Sequence, residues 1–205
     1  MGRIIKDALI LFVITAVAGL LLAMVNEVTK GPIEDQKQKA KAEACQSVFP
    51  GVTGFNEISV ESLDANVLNS FSEKYPKISL VNIYDASGEG YVLTLSTKEG
   101  YGDNITFSMG IANDGTLNGV AILTSNETVG LGLEAEKVLV PQFAGKQADG
   151  FTYTKTGSQA DTEIDAISGA TITTKAVVNA VNGGLTVADE LFTKAVAEGK
   201  VSLDE

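Results

Sequence analysis

Eighteen consecutive residues near the start of the chain, Ala8 to Val25 (ALILFVITAVAGLLLAMV), carry no charge. As a helix they span roughly 27 Å, close to the thickness of a bilayer's hydrocarbon core. The pattern then turns charged and alanine-rich from Glu34 to Val48, with apolar residues at Ala40, Ala44 and Val48, which predicts a helix stopping near Pro50-Gly51. Residues 52–76 suit a short strand followed by a helix, with Phe55, Ile58, Val60, Leu63, Val67 and Leu68 as their apolar positions. Period-two alternation follows in Tyr91, Leu93, Leu95 and in Ile105, Phe107, Met109, Ile111. It predicts strands at Ile78–Tyr84, Gly90–Thr97, Ile105–Ala112 and Leu117–Thr124. Turn signals at Asp85-Ala86-Ser87-Gly88, Lys98-Glu99-Gly100 and Asn113-Asp114-Gly115-Thr116 separate them. The expected arrangement is an antiparallel meander with one buried face.

Beyond the meander, Glu134 to Phe143 predicts a short helix that breaks at Pro141, and Phe151 to Lys155 a last strand. Thr173 to Val181 predicts a helix with Ala176, Val177, Ala180 and Val181 on its inner face. Asn182-Gly183-Gly184 predicts its end or a bend, ahead of a second helix from Val187 to Ala197 with Val187, Leu191 and Val196 inward. The fold class is α+β: one N-terminal transmembrane helix, then a domain with an antiparallel sheet flanked by helices. The expected divisions are residues 1–7, the span 8–25, a helical connector 26–50 and the domain 51–205.

Charge gives the span a direction. Arg3 and Lys6 precede it, so the positive-inside bias keeps the N-terminus in the cytoplasm and puts the domain on the other side of the cell (inner) membrane. A cleaved signal peptide would have a shorter apolar region and a small-x-small cleavage site, which this stretch lacks. The net charge of −11 excludes a nucleic-acid-binding face, which needs basic residues to neutralise phosphates. The chain has no His, no Trp and one Cys, Cys45. Haem ligation, histidine-based acid–base chemistry and an internal disulfide or iron–sulfur cluster are thereby removed. The reactive group, if there is one, is borrowed.

One run stands out, Asp165-Ala166-Ile167-Ser168-Gly169-Ala170-Thr171-Ile172-Thr173, which leads into a predicted helix. Gly169 permits unusual φ values and close backbone approach. Ser168, Thr171 and Thr173 offer hydroxyls, and the free N–H groups of a helix start favour an anion. Ser and Thr at a helix start are also ordinary caps.

The run resembles the flavinylation motif of the FMN-binding domain family, Asp-x-x-Ser/Thr-Gly-Ala-Thr-x-Thr/Ser, with Asp165, Ser168, Gly169, Ala170, Thr171 and Thr173 at its fixed positions. Glu127-Thr128-Val129-Gly130-Leu131-Gly132 is similar to the family's Glu-Thr-Pro-Gly-Leu-Gly loop, with Val129 in place of the usual proline. Gly100-Tyr101-Gly102 is similar to its Gly-Tyr-Gly segment. Singly, each loop is also an ordinary glycine turn; together they stand in the family's order. With the N-terminal span and the overall length, the whole chain resembles the RnfG family, the G subunits of Rnf complexes, which are ion-translocating ferredoxin:NAD oxidoreductases of bacterial membranes.

The resemblance implies an electron-transfer subunit carrying FMN through a phosphoester on Thr173. It implies flavin contacts from Tyr101, Glu127, Thr128, Gly130, Leu131 and Gly132. Implied partners are the other membrane and peripheral Rnf subunits, and a flavin transferase using FAD and Mg²⁺. The C subunit of the Na⁺-translocating NADH:quinone reductase shares motif and anchor but is usually longer. A cofactor-free anchored module of a membrane assembly is a further reading. A hydrolase using Ser168 or Thr173 lacks a His to activate the hydroxyl, and neither surrounding run resembles a nucleophile elbow.

Overall fold

The computed structural model describes residues 2–197; the end of the expected domain, 198–205, and the side chain of Val196 lie outside the described residues. The chain divides into two units, one up to Ala40 and one from Lys41 onward.

The first unit consists of α1 (Gly2–Val48) as far as Ala40. Its apolar stretch is exposed all round, with a mean hydropathy of 2.9 over its most apolar window, which makes the helix long and apolar enough to cross a membrane. The two hydroxyls in and beside the stretch bond back into the helix, Thr15 to Leu11 O (3.0 Å) and Thr29 to Val25 O (2.9 Å). Neither therefore leaves a free donor on the apolar surface of the helix. Pro32 sits inside the helix without ending it, so the expected span and connector are one element.

The second unit takes in residues 41–50, which the hydrophobic pattern alone assigned to the connector. Its sheet has the order β1-β2-β3-β4-β5-β6, antiparallel throughout. The strands are β1 (Asn56–Ile58), β2 (Ile78–Asp85), β3 (Gly90–Gly100), β4 (Asp103–Ala112), β5 (Thr116–Ser125) and β6 (Lys146–Gln147). A short helix α2 (Ala65–Lys74) is capped by the Asp64 side chain and follows β1. A pair of single-turn helices, α3 (Ala135–Val138) and α4 (Val140–Phe143), follows β5. They meet at Leu139, and Pro141 lies in the first turn of α4, where its missing N–H costs nothing; the expected break at Pro141 thus falls two residues earlier. Thr152–Thr154 (β7) is not the last strand: it pairs in parallel with β8 (Glu163–Asp165) in a separate two-stranded sheet.

The meander is buried on both faces rather than one, because two elements cover it. On one face Leu93, Leu95, Ile105, Phe107 and Met109 form the main core beneath α5 (Thr171–Ala197). On the other, Cys45, Val48 and Phe49 cover Val92 and Ala86. Gly110 makes that second contact possible, since a Cβ there would lie 2.8 Å from Val48.

The predicted interruption at Asn182-Gly183-Gly184 is absent; α5 runs through it for 27 residues. A Cβ on Gly184 would collide with Met109 Sδ and approach Leu95 to 3.1 Å, and one on Gly183 would lie 3.1 Å from Phe71. These glycines let the helix lie close on β4 and α2, and the packing gained outweighs their poor helix propensity. Asn182 also serves the helix: its side chain accepts from Phe151 N (2.7 Å) and donates to Phe151 O (2.9 Å).

Candidate functional site

Three segments far apart in sequence converge at one end of α5. The first is the β3–β4 hairpin. β3 runs on through Lys98-Glu99-Gly100, so the turn is Tyr101-Gly102, bracketed by the pair Gly100↔Asp103. Tyr101 is 73% exposed at its tip. A Cβ on Gly102 would collide with the carbonyl oxygen of Asn126, so only glycine lets the hairpin lie against the second segment.

That second segment is the Glu127–Gly132 loop after β5. Leu131 N and Leu133 N both donate to Thr128 O (3.1 and 3.2 Å), and Gly130 holds a φ of 76°. This is a type II turn geometry, with Gly130 at the position that needs positive φ and Val129 at the one where proline is favoured. Val129, found where the resemblance expects proline, thus stands at a position that proline also suits.

The third segment enters α5. Ala170 N donates to Ile167 O (3.0 Å) and Gly169 holds a φ of 76°, again a turn that requires glycine. Thr174 secures it from inside the helix. Its buried hydroxyl donates to Ala170 O (3.0 Å) and accepts from Ile167 N (3.1 Å). Thr171, Ile172 and Thr173 form the first turn of α5, whose N–H groups have no intrahelical acceptor.

Between the segments lies a cleft of about 500 Å³. Nine of the twelve predicted site residues line it: Tyr101, Glu127, Thr128, Leu131, Gly132, Gly169, Ala170, Thr171 and Thr173. Ile172, half exposed on the rim, is an addition. Ser168 and Gly130 sit in the turns, exposed, without lining the cleft. Asp165 lies outside it. Its carboxylate accepts from Ser158 N (2.6 Å), while its backbone is clamped by Gln142 (Asp165 N to Oε1, 2.7 Å; Nε2 to Asp165 O, 3.1 Å). Its place is support for the strand that delivers the turn.

At the cleft's floor Thr173 Oγ1 donates to Glu127 Oε2 at 2.6 Å, and Glu127 Oε1 accepts from Gly102 N at 3.0 Å. Both side chains are buried, at 1% and 7% exposure. Gly132 is part of this arrangement, since a Cβ there would strike both the Glu127 carboxylate and the Thr173 hydroxyl. Sequence reasoning missed Thr174 and the Glu127–Thr173 bond. The doubled threonine was the only signal for the first, and a contact across 46 residues leaves none for the second.

Among the described residues no lysine or arginine lines the cleft. An anionic group bound there would be met by the N-terminus of α5, backbone N–H groups and hydroxyls. The residues fit FMN in kind: a hydroxyl and a helix start for the phosphate, and an apolar rim of Tyr101, Leu131 and Ile172 for a planar ring. A larger cleft of about 890 Å³, lined by Asp114, Asp149, Asp189, Leu185 and Phe192 among others, contains none of the predicted residues.

Known proteins give the same picture. The FMN-binding domain family matches residues 100–186, and the RnfG N-terminal region matches residues 1–48. The G subunit of the Na⁺-translocating ferredoxin:NAD⁺ oxidoreductase complex of Acetobacterium woodii is 36% identical over 192 residues, covering 92% of this chain and 93% of that one. The G subunit of the ion-translocating oxidoreductase complex of Methanosarcina acetivorans is 29% identical, over 89% and 93% of the two chains. Among solved structures, Shewanella oneidensis NqrC shares the fold, with a TM-score of 0.51 and 20% identity over 74% of this chain and 88% of that one.

Proposed function

The chain belongs to the RnfG family of ion-translocating ferredoxin:NAD oxidoreductase complexes, whose members are redox subunits, and from that membership we propose that it carries FMN covalently on Thr173 as an electron relay outside the cytoplasm. The observation that carries this reading is the convergence of the three glycine-bearing segments on one cleft floored by the Thr173 hydroxyl at the start of α5.

FMN supplies a ring that takes up and passes on one or two electrons, and the protein supplies position and electrostatics. Thr173 holds the phosphate through its Oγ, with the ring chemistry untouched by the link. Thr171 and the first-turn N–H groups of α5 receive the phosphate charge. Gly169 and Ala170 allow close approach, while Glu127, Thr128, Leu131 and Gly132 wall the cleft and Gly130 holds the turn between them. Tyr101 and Ile172 offer apolar surface at its mouth. Asp165 acts from behind, by holding the strand that leads into the turn, and Ser168 forms part of the turn itself. A covalent link also keeps the cofactor on a protein facing a compartment poor in free FMN.

Residues 1–7 stay in the cytoplasm, 8–25 cross the cell (inner) membrane, and the domain lies outside, in keeping with Arg3 and Lys6 ahead of the span. The other membrane and peripheral Rnf subunits are its partners, and a flavin transferase using FAD and Mg²⁺ loads it. The NADH:quinone reductase C subunit is the weaker reading, since likeness to NqrC extends only to the fold.

In-gel flavin fluorescence after denaturation tests the assignment. The wild-type band is expected to fluoresce and the Thr173→Ala band to be dark; a fluorescent Thr173→Ala band would sink it.

A further inference from the structure

We propose that Glu127 is the proton acceptor for attachment of the flavin phosphate to Thr173, and that it keeps the proton afterwards. The inference rests on the flavinylation reading above and adds to it a role for a residue of the acceptor protein itself. Three observations carry it. The Thr173 hydroxyl already donates to Glu127 Oε2 at 2.6 Å, so the proton that must leave is on a line to a carboxylate. Among the described residues, no other ionisable side chain except Tyr101 at the mouth lines the cleft. The carboxylate is held from behind by Gly102 N–H, and Gly132, lacking a Cβ, leaves the space in which the carboxylate and the Thr173 hydroxyl meet.

The step balances. Thr173 Oγ forms a bond to the FMN-side phosphorus of a flavin dinucleotide, the pyrophosphate P–O bond breaks, and AMP leaves with the bond's electron pair. The hydroxyl proton passes to Glu127 Oε2. After transfer, Oγ is an ester oxygen with no proton to donate, beside a phosphodiester carrying one negative charge. An ionised Glu127 would then be buried beside an anion and short of one of its two donors. A protonated Glu127 instead donates to the group it helped attach. The carboxylate that held the bare threonine becomes the donor that holds the loaded one.

The test loads full-length protein with purified flavin transferase, FAD and Mg²⁺, and follows FMN on the Thr173 peptide by mass spectrometry. Glu127→Gln keeps the shape and an acceptor oxygen but cannot take a proton, and is expected to load at least roughly 100-fold more slowly than wild type, the usual worth of a general base. Loading of a normally melting Glu127→Gln at the wild-type rate overturns the inference while leaving Thr173 as the attachment site. A wild type that gains no FMN overturns the attachment reading itself. Retention of the proton is read in the wild-type protein, so it stands whether or not the variant folds. The infrared difference between loaded and unloaded protein should show a protonated-carboxyl C=O band that shifts on isotopic labelling of glutamate. Its absence at neutral pH overturns the proposal.

Discussion

Thr173 and Glu127, 46 residues apart in sequence, share a 2.6 Å hydrogen bond at the bottom of the cleft. A buried carboxylate with two donors, Thr173 Oγ1 and Gly102 N, is satisfied; with one it is not. Thr173→Val, which keeps the shape and deletes the hydroxyl, should therefore destabilise the unloaded domain by about 1–3 kcal/mol. Thr173→Ser, which keeps the hydroxyl, should cost no more than about 1 kcal/mol. Urea denaturation of the unloaded proteins checks the pair, and equal midpoints for the two variants would contradict it.

Thr174 lies outside the motif yet builds its turn. Thr174→Val strands the buried Ile167 N–H and removes the bond to Ala170 O. A loss of about 1–3 kcal/mol is expected, with hydrogen exchange quickened at residues 167–170. Unchanged exchange there would show that the turn does not depend on this hydroxyl.

Val129 occupies the second position of the Thr128–Leu131 turn, 80% exposed. Proline is the residue that pre-sets the φ this position takes. Val129→Pro should stabilise the domain by about 0.4–1 kcal/mol, by restricting the unfolded chain. A lowered melting temperature would mean the loop takes another form.

Alkaline pH should weaken the face of the sheet covered by residues 45–52. Burial raises the Cys45 thiol from 9.0 to about 11; this residue lies well beyond the apolar stretch, in the domain core. Burial, then Glu57 and Cys45, raises the neighbouring Tyr84 phenol above 10.0. Both groups fold in their neutral forms. Their contribution is complete below the unfolded-state values and is lost as pH climbs through the folded-state ones, so stability should fall from about pH 9 to beyond pH 11. Denaturation midpoints across that range test the sign. The same burial predicts that Cys45 reacts with a thiol reagent only on unfolding.

The strands, the long apolar helix and most of the cleft were legible in the sequence because each is a local pattern. Alternation placed β2 to β5, and glycine spacing placed the two loops. What was not legible depends on partners distant in sequence. Gly183 and Gly184 read as a helix end until Met109 and Phe71 are seen across from them. β6 and β8, two and three residues long, are too short to show a period. Residues 41–49 read as a connector because nothing local tells that Gly110 leaves room for Val48. Asp165 belongs to the motif, but its carboxylate is spent on Ser158, a contact that only the β7–β8 pairing creates.

Peptide mass spectrometry of the protein purified from its native cells reads the proposed covalent bond at the Thr173 oxygen itself. The peptide containing Thr173 is expected to carry the mass of FMN as a phosphoester, with fragment ions placing it on Thr173 rather than on Ser168, Thr171 or Thr174. An unmodified peptide, or an adduct on another of these hydroxyls, would contradict it.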